Sequence, residues 1–448
     1  MTKEKGTRDI TELREMLKNS NPVDVAERFD KLNDQQAIRL FRMLPKTTAA
    51  EVFAYLTRDM QENIVNAIQD YEISHIIDEL FLDDAVDFIE EMPAGVVKRV
   101  LKNLPNDKRV KINNFLKYPE GSAGSVMTIE YVDLKEHLTV AESLERIRRD
   151  GVDKETIYTC YVIDAQRQLL GVVTAKTLLL SPPDAKIGDI MIRDFISAPT
   201  TEDVEELAND FRKYGLLAMP VVDNENRLVG IITVDDVLEI QEEEATEDFE
   251  IMAAISPSDD PYLKTGVLRL ARNRLPWLTI LMIAAIFTGS ILEYFEDAIA
   301  QILILLAFVP MLMDTCGTGG SQSATLIIRG MALEEIKTRD VLRVLWKELR
   351  VSFICGLWLA IVNFGRVVLQ FGVFGSDLDV SAVTLGWSVS LALWSTVVIA
   401  KVLGCLLPIG AKKLRMDPAV MSAPLITTIG DIASLLVFFG IATVVFGL

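Results

Sequence analysis

The sequence predicts a multi-domain membrane protein with three parts: an α-helical N-terminal domain, an internally duplicated α/β pair, and a five-span α-helical transmembrane domain. Three observations carry this. Five C-terminal stretches are apolar for long enough to cross a bilayer, given about 20 residues per helix. Two central segments, 158–179 and 217–238, repeat each other at an offset of 59 residues. The first 120 residues are short amphipathic runs punctuated by Pro45, Pro93 and Pro105. A chain of 448 residues has room for about three such domains.

Charge divides the same way. Residues 1–275 hold 52 of the 64 acids and 34 of the 45 bases, whereas 276–448 hold 12 and 11. An acidic soluble part argues against nucleic acid as a partner and suits divalent cations. The start, Met1 to Lys5, has no apolar core, so no signal peptide is expected. Four scattered cysteines suggest neither a disulfide framework nor a metal knuckle, and His75 and His137 fall in different modules.

Residues 1–122 read as the helical N domain, with its three prolines at first helical turns. Within it, Leu82–Glu91 has one apolar and one acidic face. Asp83 and Asp87, four apart, share a side. A charged helix face is usually only solvated, so the pair becomes a cation site only with partners from elsewhere.

In the repeat, Tyr161-Val162-Ile163-Asp164 aligns with Pro220-Val221-Val222-Asp223, and Leu170-Gly171-Val172-Val173-Thr174 with Val229-Gly230-Ile231-Ile232-Thr233. Each copy reads as strand, polar turn, strand, then a helix opened by the threonine. Met127 and Met191, upstream of each copy, read as core. This pattern resembles a tandem CBS pair, expected over 123–250 with halves near 125–185 and 186–245. The resemblance implies that ATP or another adenine nucleotide can occupy the cleft, with Asp235, just after Thr233, at a position that can hold a ribose.

The stretch 239–250 carries Glu239, Glu242, Glu243, Glu244, Glu247, Asp248 and Glu250 with no base. Like charges at helical spacing oppose the helix, a penalty that a cation would relieve; a solvated acidic linker is the alternative. Residues 251–275 then connect to the membrane part, with Thr265–Pro276 forming an amphipathic basic helix.

The spans are expected near 276–292, 298–328, 351–374, 381–410 and 419–447. Basic residues precede the first (Arg269, Arg272, Arg274) and follow the second (Arg329, Lys337, Arg339, Arg343) and fourth (Lys412, Lys413, Arg415). The other connections hold Glu293, Glu296 and Asp297, then Asp377 and Asp379. By the positive-inside rule the soluble half is cytoplasmic and the C-terminus outside, in a cell membrane.

Two acids lie within spans. Asp431 sits mid-way along the last, where an ionised carboxylate costs roughly 2.5–3.5 kcal/mol on insertion scales and therefore needs water, a counter-charge or a metal ion. Asp314 follows Pro310 and leads into Thr315-Cys316-Gly317-Thr318-Gly319-Gly320-Ser321-Gln322. That run reads as a break in the second span, since irregular backbone at this depth is tolerated where it lines a cavity. Close helix packing by small residues is the alternative for the glycines. Arg366 lies near the outer end of its span and can snorkel. Lys401 lies deeper, and the sequence assigns it no role.

Together these residues resemble the MgtE family of magnesium channels over essentially the whole chain. The most specific matches are Gly320-Ser321-Gln322-Ser323-Ala324-Thr325, Arg329-Gly330, Asp417-Pro418-Ala419, and Pro424 through Asp431. The resemblance implies a homodimer with the pore on its two-fold axis and Asp431 as the pore aspartate. Thr427, Thr428, Gly317, Thr318, Ser321 and Ala423 join it as pore positions. The family's loop asparagines are here Thr318 and Ser321, and a further pore asparagine is Ala423. Asp314 matches no essential family acid. The resemblance also implies that cytosolic Mg2+ bridges the soluble domains through Asp83, Asp87, Asp203, Glu205, Asp236, Glu239, Glu244, Glu247 and Glu51, and binds Asp417 at the cytoplasmic mouth.

No nucleophile–base pair or phosphate-cradling loop is present, so the expectation is a passive channel in contact with membrane lipid, not an enzyme. Oxygen ligands also suit manganese and leave a channel or carrier for cobalt or manganese open. A membrane-anchored nucleotide sensor is the alternative from another class.

Overall fold

The computed structural model describes residues 20–29, 31–258, 262–263, 265–373, 380–421 and 423–447. The extreme N-terminus, with its missing leader pattern, and the loop acids Asp377 and Asp379 lie outside these residues. The chain divides into two compact units, one ending at Gln241 and the other beginning at Glu242.

The described residues of the first unit begin with eight short helices: α1 (Pro22–Phe29), α2 (Asp34–Phe41), α3 (Lys46–Ala54), α4 (Arg58–Ala67), α5 (Asp70–Glu79), α6 (Leu82–Glu91), α7 (Ala94–Asn103) and α8 (Asn106–Phe115). Their apolar faces share one core. Phe29, Phe41, Phe53 and Phe88 form an edge-on ladder through it, with successive ring centroids 6.3, 6.0 and 5.2 Å apart. Such contacts add to the burial energy of each ring. Pro45, Pro93 and Pro105 stand one position earlier than expected, as the extended residue before α3, α7 and α8.

The duplicated pair follows. In the first copy β1 (Asp133–Leu134) runs parallel to β2 (Thr159–Ile163), which pairs antiparallel with β3 (Leu169–Thr174); α9 (Val140–Asp150) connects the first two. Short α10 (Ala175–Leu180) and α11 (Ile187–Ile190) lead to the second copy, β4 (Ala198–Pro199), α12 (Val204–Tyr214), β5 (Ala218–Val222) and β6 (Leu228–Thr233), paired identically. The repeat holds at the level of register. Tyr161 faces Val172 and Pro220 faces Ile231, and each copy slips once, at Val162/Ile163 and Val221/Val222. Gly171 and Gly230 allow another backbone to close in: a methyl there would sit 2.8 Å from the Ile192 carbonyl oxygen and 2.7 Å from that of Thr128. Met127 and Met191 pack on these glycines and are buried, as expected of core.

Thr233 opens α13 (Val234–Met252), which continues through the acidic stretch. The division between units falls inside this helix. In the second unit the basic segment is no separate helix. It forms the first turns of α14 (Val267–Tyr294), which carries Pro276 in its interior and buries none of its residues. After α15 (Glu296–Gln301) and a 3₁₀ turn at Leu303–Phe308 come α16 (Val309–Ala332), α17 (Val341–Val368), α18 (Ala382–Lys413) and α19 (Ala423–Phe446). Among the described residues, five helical segments are therefore long and apolar enough to span a membrane.

The break expected after Pro310 does not occur. Pro310 occupies the first turn of α16, where its missing N–H costs nothing, and the helix runs unbroken through the glycines. The glycines serve close packing instead. A methyl at Gly317 would meet the Thr427 side chain at 2.8 Å, and one at Gly404 would overlap the carbonyl oxygen of Gly320. At these points the α16 backbone meets side chains of α19 and, at Gly404, the backbone of α18 almost directly, as small residues permit in membranes. A second core, centred on Leu312, Leu385, Val389, Leu435, Phe438 and Phe439, joins the first halves of α16 and α18 to the second half of α19.

Candidate ion pathway and acidic cluster

Asp431 lies mid-way along α19, one residue after Gly430, which packs against Cys316. Its Oδ1 is buried and has no hydrogen-bond partner among the described residues. A buried carboxylate oxygen left bare is costly, so it marks a place for an external ligand. One turn towards the N-terminus, Thr427 Oγ1 donates to the Ala423 carbonyl at 2.7 Å, and Thr428 Oγ1 to that of Pro424 at 2.9 Å. On α16, Ser321 Oγ donates to the Gly317 carbonyl at 2.7 Å. These hydroxyl protons are spent on their own helices, which leaves oxygen lone pairs free to accept from water.

Asp314, Thr318, Gln322, Thr325 and Arg329 are all exposed on α16. Their spacing of three to four residues makes one polar stripe along a helix otherwise suited to lipid. Gly317, by contrast, is buried against Thr427. Arg366 does not simply reach for solvent. It donates to Asn363 Oδ1 at 3.1 Å and Gln370 Oε1 at 3.2 Å, and its guanidinium lies 5.5 Å from the Phe308 ring centre.

At the base of these spans, Ile251 and Met252 from the end of α13 pack against a small cluster of Ala324, Ile328, Ala419 and Ile426. Asp417 caps the following turn by accepting from Ala419 N at 2.8 Å. Asp248 lies near enough to Asp417 that burial, then Asp417 and Glu247, push its carboxyl up to about 6. Asp248, Glu247 and Asp417 therefore share one acidic neighbourhood.

The first unit contains a larger acidic cluster. Asp83 is 7 % exposed, and its carboxyl is held well above the ordinary range by burial and then by Asp84, Asp236 and Glu155. Burial and the same neighbours push Asp84 up to about 6, Asp87 to about 8 and Glu155 to about 7. Asp236 is raised by burial, although Thr233 donates to it at 2.6 Å through its hydroxyl. Glu239 and Asp235 act on this group, and Lys108 offsets it only at Asp84. Glu51 reaches the cluster through Tyr55, which feels Asp84, Asp235 and Glu155. Carboxylates from α6, α13 and the loop after α9 thus crowd together where each raises the cost of ionising the next.

Sequence reasoning singled out Asp83, Asp87, Asp236, Glu239 and Glu51 but missed Asp84, Glu155 and the pairing of Asp248 with Asp417. These residues lie 70 to 170 positions from their partners, and no periodicity links them. Asp203 caps α12, its Oδ1 accepting from Glu205 N at 2.9 Å. Among the described residues, no three acidic, histidine or cysteine groups converge tightly enough to cage a bare ion.

Comparison with known proteins agrees with these divisions. The profile of the MgtE family, described as divalent cation transporter, matches residues 309–441. The MgtE intracellular N domain matches 20–121, and CBS domains match 123–183 and 187–243. The chain is 36 % identical to the magnesium transporter MgtE of Thermus thermophilus, covering 97 % of this chain and 95 % of that protein. It is 33 % identical to the Bacillus subtilis magnesium transporter MgtE, covering 97 % and 94 %. A crystal structure described as the cytosolic domain of the Mg2+ channel MgtE in complex with ATP is 34 % identical, with a TM-score of 0.50 over 53 % of this chain and 98 % of that one. With both relatives matched along nearly their whole length, the chain belongs to the MgtE family of divalent cation transporters.

Proposed function

We propose that this protein is a homodimeric channel that carries Mg2+ passively into the cell and closes when cytosolic Mg2+ is abundant. The observation that carries the conduction reading is the unpartnered, buried Oδ1 of Asp431 among hydroxyls whose protons are already spent. Mg2+ dehydrates reluctantly and travels with several waters. Those waters are donors, so they match a carboxylate and a wall of accepting oxygens. Cys316 is fully buried, so the exposed lining offers oxygen, which suits a hard ion over a soft one. The names of the relatives, magnesium transporter and Mg2+ channel, support the same ion.

A second copy completes the pathway in this reading. The polar stripe of α16 cannot face lipid without leaving Asp314 and Gln322 unsolvated, and two stripes facing each other would enclose water. The soluble half lies in the cytoplasm and the C-terminus outside, following the distribution of basic loops. Regulation follows from the acidic clusters. Asp83, Asp84, Asp87, Glu155, Asp236 and Glu239 repel one another unless cations or protons neutralise them. Hydrated Mg2+ binds the compact arrangement better than a separated one, and the equilibrium shifts towards it. An adenine nucleotide is a further ligand of the CBS pair, with Asp235 free at the first turn of α13 to meet a ribose; the ATP-bound relative supports this.

The test is flux of Mg2+, Co2+ and Mn2+ into liposomes containing the full-length protein, with internal Mg2+ varied. Mg2+ influx that falls as internal Mg2+ rises is expected. Equal or greater flux of Co2+ or Mn2+ would favour a channel for those ions, and no divalent flux at all would defeat the reading.

A further inference from the structure

The hydroxyls of Thr315, Ser321, Thr427 and Thr428 donate to the carbonyl four residues back on their own helix. Ser323 does not. Its hydroxyl donates across to Glu348 Oε2 on α17 at 2.6 Å. The carbonyl that Ser323 would otherwise meet is that of Gly319, and it is occupied by a cation. Lys401 Nζ on α18 donates to the Gly319 carbonyl at 3.4 Å and to Ser323 Oγ at 3.2 Å. Lys401 is 7 % exposed and Ser323 1 %. An ammonium is thereby linked to a carboxylate through one serine, and three spanning helices meet at that serine.

The position of this linkage matters more than its charge balance. Residues 319–323 of α16 lie against α18, where Gly320 and Gly404 touch, while Gly317 and Gly320 lie against Thr427 and Ile426 of α19. The same short segment of α16 is therefore wedged between α18 and the helix that carries Asp431. Gly317, Gly319 and Gly320 give the packed face of this segment few side chains to fix its height or rotation. The network supplies that restraint, because a buried ammonium must keep both acceptors or pay for an uncompensated charge.

We propose that Lys401, Ser323 and Glu348 form an internal clamp that positions the glycine segment of α16 against α19 and so sets the width and preference of the ion path. These are positioning residues: none reaches the path itself. The inference rests on the channel reading above, and the experiment separates the two.

Full-length wild type, Ser323→Ala, Lys401→Met, Lys401→Arg and the pair Lys401→Met with Glu348→Gln are compared in liposomes for Mg2+ influx, Ca2+ influx and melting temperature. Ser323→Ala removes one oxygen and leaves the helix packing intact, so it keeps the test valid if Lys401→Met does not fold. Ser323→Ala is expected to lower Mg2+ influx roughly tenfold, in line with small misplacements near a working site, and to move the Mg2+ to Ca2+ ratio. Lys401→Arg should retain most of the influx, and the double neutral pair should regain melting temperature without regaining the ratio. The proposal is overturned if Ser323→Ala keeps wild-type influx and ratio, if its loss merely tracks the amount of inserted protein, or if Lys401→Arg does no better than Lys401→Met. A wild type that passes no divalent ion would count against the channel reading instead.

Discussion

The two acidic regions solve opposite problems. In the first unit, carboxylates from α6, α13 and the loop after α9 are massed, and their ionisation is opposed by their neighbours. In α19 a single carboxylate stands among threonine hydroxyls and glycine, with one oxygen left bare. In the proposed reading, a crowd of acids changes its preferred arrangement when a cation arrives and so serves as the switch. A lone acid in a wall of weak acceptors attracts an ion without trapping it, which suits passage. On that proposal, number and crowding, more than the presence of acids, separate the sensing site from the conducting one.

That contrast can be broken most directly at Asp431. Asp431→Ala should reduce Mg2+ flux by roughly two orders of magnitude while the protein still inserts, since an attraction of about 3 kcal/mol is worth that much in rate. Normal flux in this variant would place conduction elsewhere. Neutralising the crowd should do the reverse. Asp83→Asn together with Asp236→Asn should leave flux at low internal Mg2+ unchanged and remove most of its inhibition at high internal Mg2+, read in patch recordings. Undiminished inhibition would deny the cluster its role as a switch.

Protons sharpen the comparison. Asp84, Asp87 and Glu155 bind protons more tightly in the folded arrangement than in an open chain, where acids titrate near 4. Their protonated, compact form is favoured at low pH, and that advantage is lost as pH rises through about 6 to 8. In metal-free buffer, the protection of residues 82–91 from hydrogen exchange in the full-length protein, with the intrinsic pH dependence of amide exchange divided out, should therefore fall between pH 5.5 and 8.5, and added Mg2+ should restore it. Exchange that ignores both would contradict the crowding.

The smallest effect concerns Asp203, which the family resemblance marks as a metal position and the structure shows as a helix cap. Asp203→Asn keeps a capping oxygen and should change neither stability nor Mg2+ inhibition measurably. Asp203→Ala should cost roughly 1 kcal/mol. A marked loss of inhibition in Asp203→Asn would restore its place beside the acidic crowd.

The broad plan was legible because its signals are local. Apolar length marked five spans, and a 59-residue offset carried through to matching strand register in both copies. The glycine run of α16 misled for a physical reason. Glycine disfavours helix in water, but within a bilayer an unpaired backbone is far more costly, and glycine brings helices into contact. The connecting segment misled similarly: its basic turns are continuous with the first span through Pro276. What stayed hidden was tertiary. Glu155 beside Asp84, and Lys401 beside Ser323 and Glu348, depend on contacts between distant elements that no local pattern announces.

The orientation of the hydroxyls on α16 and α19 has one more effect. Thr427, Thr428 and Ser321 have no hydrogen left to offer, so this stretch can receive hydrogen bonds but not give them. Water beside these three side chains can only donate to them. In the proposed channel these three hydroxyls therefore favour a species that carries donors of its own, as the inner shell of an aquated metal does.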